Sequence, residues 1–305
     1  MKYTLRQLAV FLAVAKTGSL TRAAEQLSMS QSAASGALKE FEARFNLQLF
    51  DRVGKRLKIN STGLTIQAKA LEVMQRAQEL ENELIGVSDI GQIKVGATMT
   101  VGNYLLIDVL AGFKQQYPKA DVELEVANTE RIVDKVISFE LDVGLIEGEV
   151  SRPEIDVIPW REDELIAVCS PNHPLADKAE LGLSREELVA IDWIVREKGS
   201  GTRQAFERGM YGMLQDLHYV MEFEQIEAIK RAVSLNMGMA CLSKLSVQAE
   251  LQQGSLIAVN IPGRNFQRHF YAVLHKDKYL SAGVEKWLDY CGFVLEEIFF
   301  FRRES

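Results

Sequence analysis

Residues 19–45, SLTRAAEQLSMSQSAASGALKEFEARF, contain six alanines and five serines among a few large apolar side chains. Ser19 can cap a helix that runs to about Leu27, with two adjacent alanines on its inner face. After a Ser-Met pair, Ser30 can cap another helix, whose apolar residues recur at steps of four, three and four: Ala34, Leu38, Phe41 and Phe45. Because alanine side chains let helices cross closely, the stretch predicts a helix-turn-helix.

A preceding amphipathic helix is predicted to brace this pair, because apolar residues recur at three- and four-residue steps at Leu5, Leu8, Leu12 and Ala15. In a helix-turn-helix, the N-terminal residues of the second helix meet base edges and phosphates in the major groove. Glutamine can contact adenine at two atoms, whereas serine hydroxyls are permissive. The alternative for these serines is a role as caps and solvated positions. The predicted DNA contacts of this helix are Ser30, Gln31, Ser32, Ser35 and Lys39.

The next segment, LQLFDRVGKRLKINSTG, indicates a basic hairpin. Two short extended pieces surround a turn at residues 53–56. A hairpin beside a helix-turn-helix is a wing, which suits phosphates or the minor groove. Its basic residues are Arg52, Lys55, Arg56 and Lys58.

The charge is unevenly distributed along the 305 residues. Residues 1–60 hold ten Lys/Arg and four acidic residues, so this segment carries +6. The whole chain carries −7, and the remainder therefore carries −13. A basic segment on an acidic body indicates a polyanionic partner for the first part only, although an ordinary mixed surface is the alternative.

The run LRQLAVFLAVAKTGSLTRAAEQLSMSQSAASGALKEFEARFNLQLFDR, residues 5–52, closely resembles the N-terminal signature of LysR-type transcriptional regulators. The resemblance implies a ligand-responsive, DNA-binding regulator that is a dimer of dimers. It also implies an α/β chain with an all-α winged helix-turn-helix domain, a long linker helix and two periplasmic-binding-protein-like α/β subdomains. Many members have proline where this chain has Ser32 and arginine where it has Gly36, so the operator sequence stays open.

The segment after Thr62 predicts the linker helix. It has no proline, and no glycine after Gly63, and its apolar residues step by four and three as in a heptad seam. At 1.5 Å per residue the helix is roughly 30 Å long. A helix that lies on its own core is the alternative, but the resemblance favours dimerisation. The seam consists of Ile66, Ala70, Val73, Ala77, Leu80 and Leu84.

Beyond Gly86, β-rich runs alternate with helical stretches, which predicts α/β subdomains with largely parallel sheets. In such sheets, ligands bind at the carboxyl ends of strands, beside helix N-termini. The predicted domains are 1–60 (winged helix-turn-helix), 61–87 (linker) and 88–305 (effector-binding domain), with subdomain I about 88–163 and 268–305 and subdomain II about 164–267.

Two strand-to-helix junctions, GATMTVGNY and REKGSGTRQAF, offer hydroxyls and backbone N–H groups at helix N-termini, although such loops often only cap helices. The resemblance implies that these junctions form opposite walls of an effector cleft. Glu147 is ambiguous there, because it repels an anion unless Arg203 or Arg196 neutralises it or the ligand donates to it. The expected effector is a sulfur oxyanion, a small carboxylate or a phosphate. The predicted effector-binding residues are Thr98, Thr100, Asn128, Thr129, Glu147, Ser200, Thr202 and Arg203.

Other classes of function find little support in the sequence. An enzymatic or small-molecule-binding module with secondary DNA binding is the alternative, but no Ser/His/Asp constellation, GxGxxG or P-loop pattern is present. We therefore predict no catalytic residue, metal or cofactor. The N-terminal apolar stretch is bracketed by Arg6 and Lys16 in a helical rather than a signal-peptide pattern, and no small-residue cleavage site follows it, so we expect it to be retained. No apolar run approaches the roughly 20 residues that span a bilayer. We therefore expect a cytoplasmic protein.

Overall fold

The computed structural model describes residues 2–54, 56–84, 90–296 and 298. The predicted helix-turn-helix and its bracing helix are present, and the side chains of Ser19 and Ser30 cap their helices by accepting from backbone N–H groups three residues on. The hairpin follows directly. These elements are α1 (Leu5–Thr17), α2 (Leu20–Gln26), α3 (Gln31–Phe45), β1 (Phe50–Val53) and β2 (Arg56–Ile59).

The core of this first domain explains the alanines. Ala23 and Ala34 are fully buried where the helices cross, and the ring of Phe11 lies 6.1 Å from that of Phe41. The expectation that Leu5 and Phe45 also face inward is wrong, because these side chains are 47% and 42% exposed. Leu5 is the first residue of α1 and Phe45 the last of α3, so both lie at helix ends, away from the helix crossing at Ala23 and Ala34.

The linker helix α4 (Ser61–Leu84) is continuous, and residues 85–87 of the predicted linker lie outside the described part of the chain. Its first half packs on the N-terminal domain through buried Ala70. Further along, the Glu79 carboxylate accepts from the Tyr279 hydroxyl (3.0 Å) and from the Ala282 N–H (3.2 Å). The helix therefore contacts the N-terminal domain at one end and the segment around Tyr279 at the other. Leu80 and Leu84 remain 57% and 77% exposed.

The C-terminal part contains strands β3 (Gln92–Thr98), β4 (Asp121–Ala127), β5 (Val143–Glu147), β6 (Ile155–Cys169), β7 (Asp192–Arg196), β8 (His218–Phe223), β9 (Ala240–Ser243), β10 (Ile257–Val259) and β11 (Gln267–His275). Its helices are α5 (Met99–Tyr104), α6 (Leu106–Gln116), α7 (Thr129–Ile137), α8 (Arg185–Ala190), α9 (Gly201–Gly209), α10 (Ile226–Ser234), α11 (Lys244–Gln253) and α12 (Ala282–Tyr290), with a 3-10 turn at Ala176–Lys178.

The sheets are mixed rather than largely parallel. Strand β3 pairs in parallel with β4 and β5, and β7 pairs in parallel with β8, as predicted. Strand β11, however, is antiparallel to both β5 and β6, and β6 is antiparallel to β9 and β10. The reason is that the long strand β6 leaves the first subdomain and β11 returns to it, so the two strands run in opposite directions.

Strand β6 contributes to the cores of both subdomains. Ile158, in its first half, belongs to the core that contains Phe113 and Trp287. Leu165, in its second half, belongs to the core that contains Trp193. The predicted boundary at residues 163–164 therefore falls inside β6, and the junction of the two subdomains lies beside this strand.

Candidate functional sites

The exposed surface of α3 carries most of the predicted DNA contacts. Gln31, Ser32 and Lys39 are exposed, and Ser35 is half-buried on the same helix. The Ser30 hydroxyl already has partners within the protein, because its Oγ accepts from the Ala33 N–H (3.2 Å) and lies 3.0 Å from the Ser32 Oγ. The structure thus places these side chains together on a solvent-facing strip.

Gly36 lies on the same exposed strip. A Cβ added at this position meets no heavy atom within 4 Å. Where many family members have an arginine, this chain therefore has open space on the surface of α3, and no other side chain of the described residues fills it.

The hairpin β1–β2 is a wing held against the end of α1. Val53 pairs with Arg56, so the turn is tight, and Gly54 has a positive φ of 62°. The Leu57 N–H donates to the carbonyl of Gly18 (3.0 Å) and fixes the hairpin in place. Arg52, Arg56 and Lys58 are exposed and form no ion pair with the described residues, whereas Lys55 lies outside them.

A buried polar group joins the two predicted walls of the effector cleft. We name it the cleft cluster, which consists of Thr100, Glu147, Asp163, Thr202 and Arg268. The Arg268 guanidinium donates to the Thr100 hydroxyl (3.4 Å) from one nitrogen and to the Thr202 hydroxyl (3.1 Å) from another. Thr100 lies on α5 and Thr202 on α9, so hydroxyls from both walls contact one cation.

Two carboxylates balance this cation. Arg268 Nε donates to Asp163 (2.7 Å), whose other oxygen accepts from the Ser243 hydroxyl (2.8 Å). Arg268 Nη2 lies 3.1 Å from Glu147 Oε2, and the Thr202 hydroxyl donates to Glu147 Oε1 (3.1 Å). The counter-ion of Glu147 is therefore Arg268, rather than either of the two arginines that the sequence suggested.

Two of the predicted threonines position Glu147 by its main chain. The Glu147 N–H donates to the Thr98 hydroxyl (3.2 Å), and the Thr129 hydroxyl donates to the Glu147 carbonyl (2.8 Å). A Cβ at Gly201 would lie 1.9 Å from that carbonyl oxygen. Only glycine fits here, because the N-terminus of α9 packs directly against the end of β5.

Arg196 and Arg203 have other partners. Arg203 pairs with Glu207, donates to the Arg196 carbonyl (3.0 Å) and lies 4.5 Å above the ring of Tyr219. Arg196 pairs with Glu197 at 2.8 Å. Both arginines thus pair within subdomain II, although the buried Arg196 Nη1 has no hydrogen-bond partner among the described residues.

A cavity of about 480 Å³ lies beside the cluster and is called the outer cavity. Thr129, Ser200 and Arg203 line it, together with Lys198 and Arg152. Ser200 is only 3% exposed, and its hydroxyl has no hydrogen-bond partner among the described residues. Asn128, by contrast, caps α7 by accepting from the Arg131 N–H (3.0 Å). The predicted residues therefore divide among the cluster, the outer cavity and a helix cap, while Thr98 accepts from the Glu147 main chain.

Sequence reasoning missed Arg268 and Asp163. Arg268 is at an inward position of β11, where buried residues alternate at Arg268, Phe270 and Ala272. Asp163 is likewise buried in β6, two residues before buried Leu165. A charged residue on the apolar side of an alternating strand was the available signal, because such a charge needs a buried partner.

Comparisons with known proteins show the family to which both parts of the chain belong. Residues 5–64 match the bacterial regulatory helix-turn-helix protein, lysR family, and residues 88–294 match the LysR substrate binding domain. An Escherichia coli K12 protein described as an uncharacterized HTH-type transcriptional regulator, YeiE, is 40% identical over 95% of this chain and 98% of its own length. The transcriptional activator CmpR of Synechocystis is 30% identical over 94% of each chain.

Solved structures show the same fold. Full-length OxyR from Pseudomonas aeruginosa has a TM-score of 0.72 at 21% identity and covers 95% of both chains. The regulatory domain of Synechocystis CcmR, solved in complex with 2-PG, has a TM-score of 0.60 at 28% identity and covers 66% of this chain and 95% of its own.

The chain therefore belongs to the LysR family of transcriptional regulators. It is a ligand-responsive regulator, not an enzyme, that binds operator DNA through its helix-turn-helix domain, takes a small-molecule effector in its α/β domain and forms oligomers. Among the described residues, no helix is long and apolar enough to cross a membrane.

Proposed function

We propose that the effector is a small anion held between Thr100 and Thr202 with Arg268 as its counter-ion. The observation that supports this is one buried guanidinium contacted by hydroxyls from both walls of the cleft. Charge-assisted hydrogen bonds of this kind are the strong ones, and they act here out of contact with water. A sulfur oxyanion, a phosphate or a small carboxylate suits such donors. The 2-PG complex of CcmR supports a small ligand in the corresponding domain.

The anion would act by shifting the equilibrium between open and closed forms of the cleft. It contacts α5 on one wall and α9 on the other, so it binds the closed form better than the open form. Only that difference in affinity can change the population of the two forms. The closed form in turn alters the spacing of the DNA-reading heads, and the two sites are coupled reciprocally.

The DNA-binding unit is proposed to be a dimer assembled through α4, and the full protein a dimer of dimers in the cytoplasm. Leu80 and Leu84 lie on the heptad seam and are exposed in the single chain, which supports pairing of two linker helices. In this assembly the α3 strip and the wing contact the operator, with Gln31 and Ser35 at base edges and Arg52 and Arg56 at phosphates.

The test of the effector site uses Thr100→Val and Thr202→Val with sulfate and phosphate as probes in titration calorimetry. A lost hydrogen bond to a charged ligand costs about 1.5–3 kcal/mol, so each variant is expected to bind roughly ten- to a hundredfold more weakly. Thr65→Val is the matched control, because that hydroxyl is exposed on α4 and bonds only to the Ser61 carbonyl. Unchanged affinity in both cleft variants would place the effector elsewhere.

A further inference from the structure

We propose that Glu147 is an internal competitor for the effector, so that its carboxylate holds the anion position until the effector displaces it. This inference rests on the proposed anion site. In the structure, Glu147 takes two of the three contacts that an effector oxyanion would receive, those of Thr202 and Arg268, and leaves Thr100 to Arg268. Its carboxylate accepts from the Thr202 hydroxyl at 3.1 Å and lies 3.1 Å from the Arg268 guanidinium.

Of the two carboxylates on Arg268, Glu147 is the one held less firmly. Asp163 accepts well-formed hydrogen bonds at both oxygens, from Arg268 Nε (2.7 Å) and from Ser243 (2.8 Å). Glu147 Oε2 is buried and close to Arg268, but the contact is too poorly aligned for a hydrogen bond, so this oxygen has no hydrogen-bond partner among the described residues. A buried carboxylate oxygen without a hydrogen bond is destabilised, so Glu147 is the group that exchanges.

The charge balance of the cleft cluster indicates that an effector anion replaces the Glu147 carboxylate rather than binding beside it. Arg268, Asp163 and Glu147 together carry a net charge of −1, and the side chains of Arg268 and Glu147 are each 1% exposed. An added anion beside an ionised Glu147 would put three negative groups on one guanidinium, where water cannot screen them. None of the five cluster residues lines the outer cavity, but Thr129 and Gly201, which do, contact the Glu147 main chain. Ser200 also lines this cavity, and its hydroxyl, which has no hydrogen-bond partner among the described residues, offers a donor to the displaced carboxylate.

Displacement of the Glu147 side chain would also alter the contacts between β5 and α9. Glu147 ends β5 and is followed by Gly148, which has a φ of 94°. The next residue, Glu149, is joined to α9 because its N–H and carbonyl bond to the Gln204 amide at 2.8 and 3.1 Å. Arg208 of α9 also pairs with Glu149. Release of the Glu147 side chain from Thr202 therefore removes one of several neighbouring links between α9 and the segment at the end of β5.

The test is Glu147→Gln in the full-length protein, with sulfate as the calorimetric probe. The amide keeps the shape and the acceptor for Thr202 but removes the charge, so sulfate affinity is expected to rise roughly tenfold or more. Glu162→Gln is the matched control, because that side chain lies on β6 and is 89% exposed. Glu147→Met, which also removes the charge at similar volume, is expected to raise affinity as well and serves if the amide variant folds poorly.

The other outcomes are distinct. Weaker or unchanged sulfate binding by both Glu147 variants would overturn the proposed competition. Glu147 would then either accept a hydrogen bond from the effector or have no part in its binding. The Thr100 and Thr202 variants would still test the anion site independently. If the valine variants also have no effect, the anion site itself is wrong. A gain that disappears when Thr202→Val is added to Glu147→Gln would support both proposals.

Discussion

Glu147 and Arg268 form an ion pair between the end of β5 and the start of β11, with 3.1 Å between Oε2 and Nη2. Each side chain is 1% exposed, and Arg268 also holds Asp163 at 2.7 Å. One cation therefore offsets two carboxylates in the interior. The stability of the effector-binding domain and its response to anions thus depend on the same guanidinium.

Arg268→Met is expected to lower the free energy of unfolding by about 3–5 kcal/mol, because it leaves two buried carboxylates without a counter-ion. Urea unfolding followed by circular dichroism measures the loss. Adding Glu147→Gln and Asp163→Asn to this variant removes the uncompensated charges and is expected to restore most of the stability. Wild-type stability of the single variant would show that the pair is dispensable.

A second polar link crosses the domain at Tyr104, whose hydroxyl donates to Glu227 at 2.6 Å and joins α5 to α10. Burial, together with this hydrogen bond, raises the pKa of Tyr104 to about 12. In the unfolded chain the Tyr104 hydroxyl ionises near pH 10, whereas in the folded protein it stays protonated to higher pH. The free energy of unfolding therefore falls as the pH rises above 10.

Tyr104→Phe is therefore expected to reduce the dependence of stability on pH between 9 and 11. The readout is the urea midpoint at several pH values in that range. Tyr211→Phe removes a hydroxyl from a residue that is 80% exposed and is expected to leave the dependence unchanged. Equal pH profiles for wild type and Tyr104→Phe would contradict the assigned shift.

The wing should contribute sequence-independent affinity. Replacing Arg52 and Arg56 together by alanine is expected to weaken binding to operator and competitor DNA alike, and to reduce the slope of log affinity against log salt by about 2 for each bound chain, or about 4 for the dimer. Fluorescence anisotropy over a salt series measures both effects. The matched control is Lys114→Ala with Lys119→Ala, which removes two exposed charges from the other domain. An unchanged slope in the wing variant would move the phosphate contacts elsewhere.

Gly36→Arg is expected to tighten DNA binding. The position is exposed, a Cβ added there meets no heavy atom within 4 Å, and glycine inside a helix costs about 0.8–1.0 kcal/mol relative to alanine. Gly36→Ala separates the two effects, because it stabilises α3 without adding charge. Anisotropy should show a salt slope steeper by about 1 for each bound chain, or about 2 for the dimer, in the arginine variant and no change in slope in the alanine variant. An unchanged affinity and salt slope in the arginine variant would mean that the strip faces away from DNA.

Leu80→Glu with Leu84→Glu is expected to abolish the dimer and operator binding, because the substitutions place like charges against a symmetry-related helix. Sedimentation equilibrium measures the assembly. Gln78→Glu with Asn82→Glu adds the same charge on the same turns of α4, away from the seam, and is expected to leave the dimer intact. A dimer that survives the leucine substitutions would locate the interface outside this part of α4.

Much of this protein follows from local sequence. Ser19 and Ser30 are helix caps as predicted, because capping depends on backbone groups two or three residues away. The wing turn at Gly54 and the α9 N-terminus at Ser200 are also predictable from the sequence, because each depends on a few neighbouring residues. The Ala positions of the helix-turn-helix were predicted because helical periodicity assigns them to one face.

The charge balance of the cleft was decided by tertiary structure alone. Thr100 and Arg268 are 168 residues apart, and they meet only because β11 returns antiparallel to β5 and β6. Strand order and direction depend on which distant segments bury their apolar faces together, and no local pattern specifies that choice. The sequence therefore determined that hydroxyls line the two walls, whereas long-range strand pairing determined that Arg268 and Glu147 lie between them.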